Sequence, residues 1–289
     1  MSLTKNNQLK INSLIQEYFA LKVGKEELLK IINQAEIVEA VYNSNAIENS
    51  TLTLSETEKI LIDLEVSRAA SVREIFEAKN LAKLSQYLNE KQNLGALNLE
   101  IALFLHSILL SNINDNWAGR IRQAGEFVRV GTHVAPAPEQ VEGLVLDLLR
   151  DYQSDMSNYF LNKIAKFHLD FENIHPFCDS NGRIGRSLIN YQLLQLGLPP
   201  IIIRDSSKKD YYQGFKDYSK SNLKTMENVI TLAFVESLHK RLAHLKGLRI
   251  VNLSDYIKSN QFLAPATTMN AKRQNIPAFR HNGIWKIGI

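Results

Sequence analysis

The sequence has few of the residues that break helices and almost none that cross-link chains. Its 289 residues include seven prolines, thirteen glycines and one cysteine, Cys178. A single thiol excludes an intrachain disulfide, which suits a reducing compartment. Long apolar runs are missing as well. Residues 101–105 are a typical apolar burst, ended by His106, and nothing approaches the roughly 20 residues that span a bilayer. The opening MSLTKNNQLK has no signal-peptide core. These absences predict a cytoplasmic protein without membrane contact. Common nucleotide motifs are absent, with neither GxxxxGK(S/T) nor GxGxxG present. Without HExxH or CxxC, a zinc site has little support. No tandem repeat or low-complexity tract occurs.

The fractions of hydrophobic and charged residues, 45% and 22%, are ordinary for a globular chain. A net charge of +4 is unremarkable, but its distribution is uneven. Residues 241–289 carry eight Lys or Arg (Arg241, Lys246, Arg249, Lys258, Lys272, Arg273, Arg280, Lys286) against one acid, Asp255. Such a tail either meets something anionic or is a basic surface without a partner.

Helical periodicity fills most of the chain. Leu97, Ile101, Leu105 and Ile108 fall on one stripe, and Ile230, Phe234, Leu238, Leu242 and Leu245 on another. Spacings of three and four predict amphipathic helices on a shared core. Two stretches break the pattern. In GEFVRVGTHVAPAP, residues 125–138, β-prone Phe127, Val128 and Val130 precede a Gly turn and helix-stopping prolines. This predicts a small hairpin flap and a new helix near Glu139. In AFRHNGIWKIG, residues 278–288, Asn282-Gly283 marks a turn between two strands. The segment before it reads as two short helices, the first capped by Ser254 and the second holding Pro265 in its first turn. Helix–turn–helix followed by a hairpin is a winged-helix pattern. The expected fold is all-α: a helical core with a small β-hairpin flap and a small C-terminal winged helix-turn-helix module. The expected boundaries are residues 1–95 for an N-terminal helical region, 96–246 for the core and 248–289 for the basic module.

Most of the chemistry is concentrated in NIHPFCDSNGRIGRS, residues 173–187. Upstream, Phe160, Ile164, Phe167 and Phe171 form one helix face; downstream, Ile184, Leu188 and Tyr191 form another. Pro176 cannot continue the first helix, so the motif is a loop that enters the second. There the first N–H groups are unpaired and carry partial positive charge. Gly182 lets an anion approach the backbone, and Arg183 and Arg186 add two forks shaped for phosphate oxygens. Asp179 is a hard oxygen ligand suited to Mg²⁺. His175 can act as a general base near neutral pH. Helix caps and local ion pairs explain any one of these residues. For the whole set on one turn, a metal-assisted polyphosphate site explains more, because so many paired charges cost more than apolar packing. A lone Cys178 beside Pro-Phe is a packing residue rather than a nucleophile.

HPFCDSNGRIGR resembles the signature of Fic-domain proteins, His-Pro-Phe-x-(Asp/Glu)-Gly-Asn-Gly-Arg-x-x-Arg. His175, Pro176, Phe177, Asp179, Asn181, Gly182, Arg183 and Arg186 match it. HLDFENI before the motif, SLINYQLLQLGLPP after it and AGRIRQ ahead of the flap are similar to the family too, so the resemblance spans roughly residues 35–240. It implies an enzyme that moves AMP from ATP to a Ser, Thr or Tyr hydroxyl of a target protein, and of itself, with Mg²⁺. His175 would take the hydroxyl proton and Asp179 would hold the metal. Asn181 and the Gly182 backbone would stabilise charge on the α-phosphate, while Arg183 and Arg186 would hold the β- and γ-phosphates. The flap residues Phe127, Val128, Val130 and Val134 would dock an extended target segment. Transfer or removal of another phosphate-containing group is the alternative enzyme reading, and a nucleotide-sensing DNA-binding regulator the non-catalytic one. Ser180 departs from the signature, which has Gly there. A phosphorylating branch of the family carries Ala at that position and replaces the next Gly by Lys. Gly182 is kept here, which favours AMP transfer.

SNAIEN, residues 44–49, resembles the family's inhibitory motif, (Ser/Thr)-x-x-x-Glu-(Gly/Asn). Ser44 and Glu48 share a helix face, and the resemblance implies that Glu48 pairs with Arg186 and displaces the γ-phosphate, with Asn49 completing the motif. In isolation, a Ser–Glu pair four apart is an exposed-helix feature. The tail, AKRQNIPAFRHNGIWKIG, is similar to winged-helix modules of excisionase-type DNA binders. There Lys272, Arg273 and Arg280, with His281, would meet phosphates.

Overall fold

In the computed structural model, residues 3–63, 65, 70–91 and 94–289 are described. Two long helices open the chain: α1, Lys5–Lys22, and α2, Glu26–Ile47. A short α3, Leu54–Glu58, runs into a π turn. Helix α4, Val72–Glu90, starts from a capping box in which Ser71 and Glu74 bond each other's backbone. Helix α5, Leu99–Leu110, is capped by Asn98, so Leu97 packs just outside the helix rather than within it. The flap is a hairpin of two short strands, β1 (Arg129–Val130) and β2 (His133–Val134). Helix α6, Pro138–Ser154, begins with proline in its first turn, one residue before the expected start. Helices α7, Phe160–Ile174, and α8, Asn181–Gln195, enclose the central motif. Helices α9, Lys208–Tyr218, and α10, Lys224–Leu245, complete the body. The expected all-α class with a small hairpin holds.

Two cores meet at α7 and α8. On one side Phe167, Phe171, Ile184 and Leu188 pack with Val41 of α2, Leu81 and Leu84 of α4, Leu105 of α5 and Val145 of α6. On the other, Leu161, Ile164, Ile189 and Leu193 pack with Ile11 and Tyr18 of α1 and Phe234 and Leu238 of α10. With both flanks of this helix pair buried, the loop joining them has a fixed base.

The last 40 residues form β3 (Ile250–Asn252), α11 (Leu253–Ser259), α12 (Ala264–Lys272), β4 (Ala278–His281) and β5 (Ile284–Gly288), with an antiparallel sheet ordered β3-β5-β4. Ser254 lies inside α11 and does not cap it. Strand β3 runs straight into the helix, so Asn252 takes the cap position. Leu253, Ile257, Ala271, Ala278 and Ile287 form its small core, and Phe279 is buried as well. The small unit leans on α10: Arg280 forks onto Glu236 at 2.7 Å, and His239 bonds Gln274 at 2.8 Å. Its hairpin turn also reaches α2, where the Gly283 amide donates to Glu39 at 2.9 Å; Arg204 pairs with both Glu39 and Glu236.

Candidate active site

Left-handed residues bound the central loop at both ends. His175 closes α7 at φ 51°, and Ser180 opens α8 at φ 65° and ψ 15°. Between them, the buried Asn181 side chain bridges the Phe177 amide and carbonyl at 2.9 and 2.8 Å. Two further buried residues hold the loop from outside. His106 stacks on Phe177 with ring centroids 3.8 Å apart. Its Nδ1 accepts from the Gly119 amide at 3.1 Å, so Nε2 carries the proton and donates to the Asp179 carbonyl at 3.2 Å. Arg122 donates to the carbonyls of Ile174 and His175 at the end of α7, and to those of Glu126 and Pro136 at the base of the flap. Flap and loop therefore share one guanidinium.

The end of α2 meets the start of α8. Helix α2 terminates in a Schellman motif: the Ser50 amide reaches the Asn45 carbonyl at 3.0 Å, and the Asn49 amide reaches Ala46 at 3.1 Å. Asn49 is left-handed, φ 66°, which only Gly and Asn adopt readily. This turn projects Glu48 toward α8. The Glu48 carboxylate lies 2.9 Å from Arg186 Nη1. It also fills the space beside Gly182, where an added Cβ would fall 2.2 Å from Glu48 Oε1. Arg186 is otherwise satisfied by Ser44, through Oγ and the carbonyl at 2.9 Å each, and by Tyr211 Oη at 3.2 Å. An anion from α2 thus occupies the positive helix entry.

A second set of charges surrounds Asp179. One of its oxygens pairs with Arg73 from the first turn of α4. The other takes the Ser180 amide at 2.5 Å and faces Arg183 at 3.5 Å. Glu77 closes the ring, 2.9 Å from both Arg73 and Arg183.

His175 is half-buried, and its ring is placed by contacts at Nδ1: 3.4 Å from the Glu172 carbonyl and 3.9 Å from its carboxyl group. Burial lowers its pKa to about 4, and lowers those of His106 and His168 to about 4 and about 3. Burial, helped by the nearby Glu48 charge, raises the Glu172 carboxyl to about 8. The three histidines have depressed folded pKa values, so between about pH 4 and their unfolded value of 6.5 the unfolded chain binds protons that the folded chain refuses. Their contribution to stability is complete above that window and declines as the pH falls through it. In a nuclear magnetic resonance titration of the free chain, all three rings are expected to stay neutral down to about pH 5. A His175 midpoint near 6.5 would contradict the shielded placement of its ring.

Ser180 combines a left-handed backbone with a buried hydroxyl that has no hydrogen-bond partner. Its departure from the signature is therefore a strained one. Ser180→Gly is expected to stabilise the chain by about 1 kcal/mol in urea denaturation. No gain would mean that the hydroxyl and backbone are already compensated.

The structure brings together His175, Asp179, Gly182, Arg183, Arg186, Ser44 and Glu48. Asn181 is present, but its side chain is spent on Phe177, leaving only its backbone amide facing the helix entry. On the flap, Phe127, Val130 and Val134 are exposed and Val128 is half-buried. Lys272 and Arg273 lie exposed at the end of α12. Arg280 is not available for a DNA backbone: Glu236 and Ser206 bind it and Trp285 stacks on it. Sequence reading missed Arg73, Glu77, Arg122, Glu172 and Tyr211, and took His106 only as the end of an apolar run. Arg73 and Glu77 looked like an ordinary surface pair at i,i+4. Nothing around Arg122, which lies between Ile121 and Gln123 and two residues after Arg120, marks it as a buried charge.

A helical protein whose central loop presents an anion-binding helix entry, a carboxylate and a half-buried histidine is the class that fold and site define. Residues 96–193 match the Fic/DOC family, so the chain carries a Fic/DOC domain. It is 32% identical over 209 residues to a protein of Nematostella vectensis named protein adenylyltransferase Fic, covering 71% of this chain and 48% of that one. A Caenorhabditis elegans protein, protein adenylyltransferase fic-1, is 28% identical over 71% of this chain and 41% of its own length. The chain thus spans less than half the length of these relatives. A Fic-domain signaling protein from Bacteroides thetaiotaomicron superposes with a TM-score of 0.70 at 25% identity, covering 82% of this chain and 97% of that one. A Fic family protein from Desulfovibrio desulfuricans G20 matches the fold across 100% of this chain and 97% of its own, with a TM-score of 0.66 and 21% identity.

Proposed function

We propose that the chain is a protein adenylyltransferase restrained by its own Glu48. The observation that carries this reading is the Glu48 carboxylate seated on Gly182 and Arg186, where a phosphate anion belongs. The relatives' names support AMP as the transferred group. His175 takes the proton of an acceptor hydroxyl as its oxygen attacks the α-phosphorus, and pyrophosphate leaves. The free amides at the start of α8 face the charge that develops there, and Arg183 and Arg186 hold the outer phosphates.

Asp179 fits a hard divalent ion, but among the described residues no group of three or more His, Cys, Asp or Glu could hold one by itself. Asp179 would therefore share the ion with nucleotide phosphates. Mg²⁺, when bound, neutralises phosphate charge. The space at Gly182 fits the nucleotide, because any Cβ there would fill it.

The flap offers exposed Phe127, Val130 and Val134 beside an unpaired strand edge, which suits an extended segment of a target protein. The partner is thus a protein with an acceptor hydroxyl. Among the described residues no helix is long and apolar enough to cross a membrane. We read the C-terminal elements as a winged-helix-type unit docked on α10. The reading does not extend to DNA: Arg280 is committed, and ahead of Lys272 and Arg273 the exposed part of α12 presents Ala264, Pro265, Ala266, Met269 and Asn270, with no cation among them. Incubating the Glu48→Gly chain with ATP and Mg²⁺ and weighing it by mass spectrometry tests the proposal. An adenylyl adduct is expected; a phosphoryl adduct, or loss of a pre-existing AMP, would replace it with the alternative enzyme reading.

A further inference from the structure

The charge ring around Asp179 is balanced, with two carboxylates, Asp179 and Glu77, facing two guanidiniums, Arg73 and Arg183. Both Asp179 oxygens are taken. An Asp179 oxygen can ligate a divalent cation only by giving up a present partner, so one of the two arginines has to withdraw. Arg183 is poorly placed to do so: its side chain is 7% exposed and held by Glu77. Arg73 is 54% exposed and has a way out. Its Nε sits on Glu77 at 2.9 Å while a terminal nitrogen contacts Asp179. Rotation about the outer bonds can release Asp179 and keep the Glu77 contact. The backbone need not move, because the Ser71–Glu74 capping box fixes this turn.

We propose that Arg73 is a positioning residue for the metal ligand, holding Asp179 in the cation's place until the metal–nucleotide complex displaces it. The guanidinium stands in for the divalent ion, as the Glu48 carboxylate stands in for phosphate. The inference rests on the nucleotide reading above and adds to it a second restraint from a different helix. Arg73 keeps Asp179 aimed at the entry and makes the metal compete for it. The turn that carries Arg73 also carries Glu74, which accepts from the Thr51 amide at 2.8 Å and from Ser50 Oγ at 3.2 Å. One turn of α4 therefore touches both the metal ligand and the residues that follow Glu48.

The test uses the full chain with Glu48→Gly, with and without Arg73→Gln. Calorimetric titration with ATP is run in Mg²⁺ and again in EDTA. The ratio of the two affinities is expected to rise about fivefold on Arg73→Gln, the scale of a part-exposed ion pair. In EDTA the affinity should hold or fall, since Asp179 is then left bare beside phosphate. Arg73→Lys should give an intermediate ratio. An unchanged ratio, or a loss of affinity in Mg²⁺, would overturn the inference and make Arg73 a structural or phosphate-binding residue. If Glu48→Gly alone binds no ATP, the nucleotide reading falls and this inference with it. If it binds ATP with a magnesium dependence that Arg73 does not alter, only the inference falls. Thermal melts of each variant separate these outcomes from unfolding.

Discussion

Glu48→Gly is expected to speed self-labelling with AMP by roughly 10- to 100-fold over the unaltered chain. A nucleotide has to compete for an Arg186 that already has partners. Its donors are taken by Ser44, Tyr211 and Glu48. A phosphate can bind there only by displacing the carboxylate, because two anions do not share one guanidinium and one helix entry. A charge-assisted hydrogen bond of this kind contributes about 1.5–3 kcal/mol, which leaves on the order of 1–10% of chains open to nucleotide. Removing the carboxylate abolishes that competition. Some stability is lost with this bond, and the loss is partly offset because a negative charge at the end of α2 opposes that helix's dipole. Incorporation from ATP labelled at the α-phosphate measures the effect, and Glu48→Gln separates charge from bulk. If Glu48→Gly binds ATP no better than the unaltered chain, Glu48 is only a helix terminus.

Inhibitor and site are held together by buried polar contacts, and few of these could be read from the sequence. The helical class followed from spacing, and the loop's position between two helices followed from Pro176 and the apolar faces beside it. The residue types that bear the chemistry were legible because they lie within fifteen consecutive positions. The long-range partners were not. Arg73 lies 106 residues from Asp179, and Glu39 lies 244 from Gly283; no local periodicity records such pairs. Arg280 shows the opposite error. A basic residue in a basic tail suggests nucleic acid, but charge counting cannot see Glu236 waiting on α10. Asn49 shows what the structure adds to a motif. Its place after Glu48 has a backbone reason, the left-handed turn that points the glutamate at Gly182. Ser180 is the converse, a left-handed position filled by a residue that gains nothing from it in this state.

In the Glu48→Gly chain, His175→Ala is expected to lower the labelling rate by about 10²–10⁴-fold, the range for loss of a positioned general base. With Nδ1 turned to the Glu172 carbonyl at 3.4 Å, the Nδ1–H tautomer leaves the Nε2 lone pair for the incoming hydroxyl. The ring is neutral at pH 7, because burial holds its pKa near 4. So low a pKa makes a weak base, but nucleotide phosphates arriving at the helix entry add negative charge near the ring and raise it toward the working pH. The acid limb of the rate under saturating ATP should therefore lie above pH 4. Because His175 is left-handed, alanine adds backbone strain that asparagine tolerates better. His175→Asn is the cleaner variant: it should keep the fold and the affinity for ATP while losing the rate. If His175→Asn binds ATP normally and still labels within a few-fold of its parent, the proton is taken elsewhere. Glu172, buried beside the ring and titrating near 8, would then be the next group to replace.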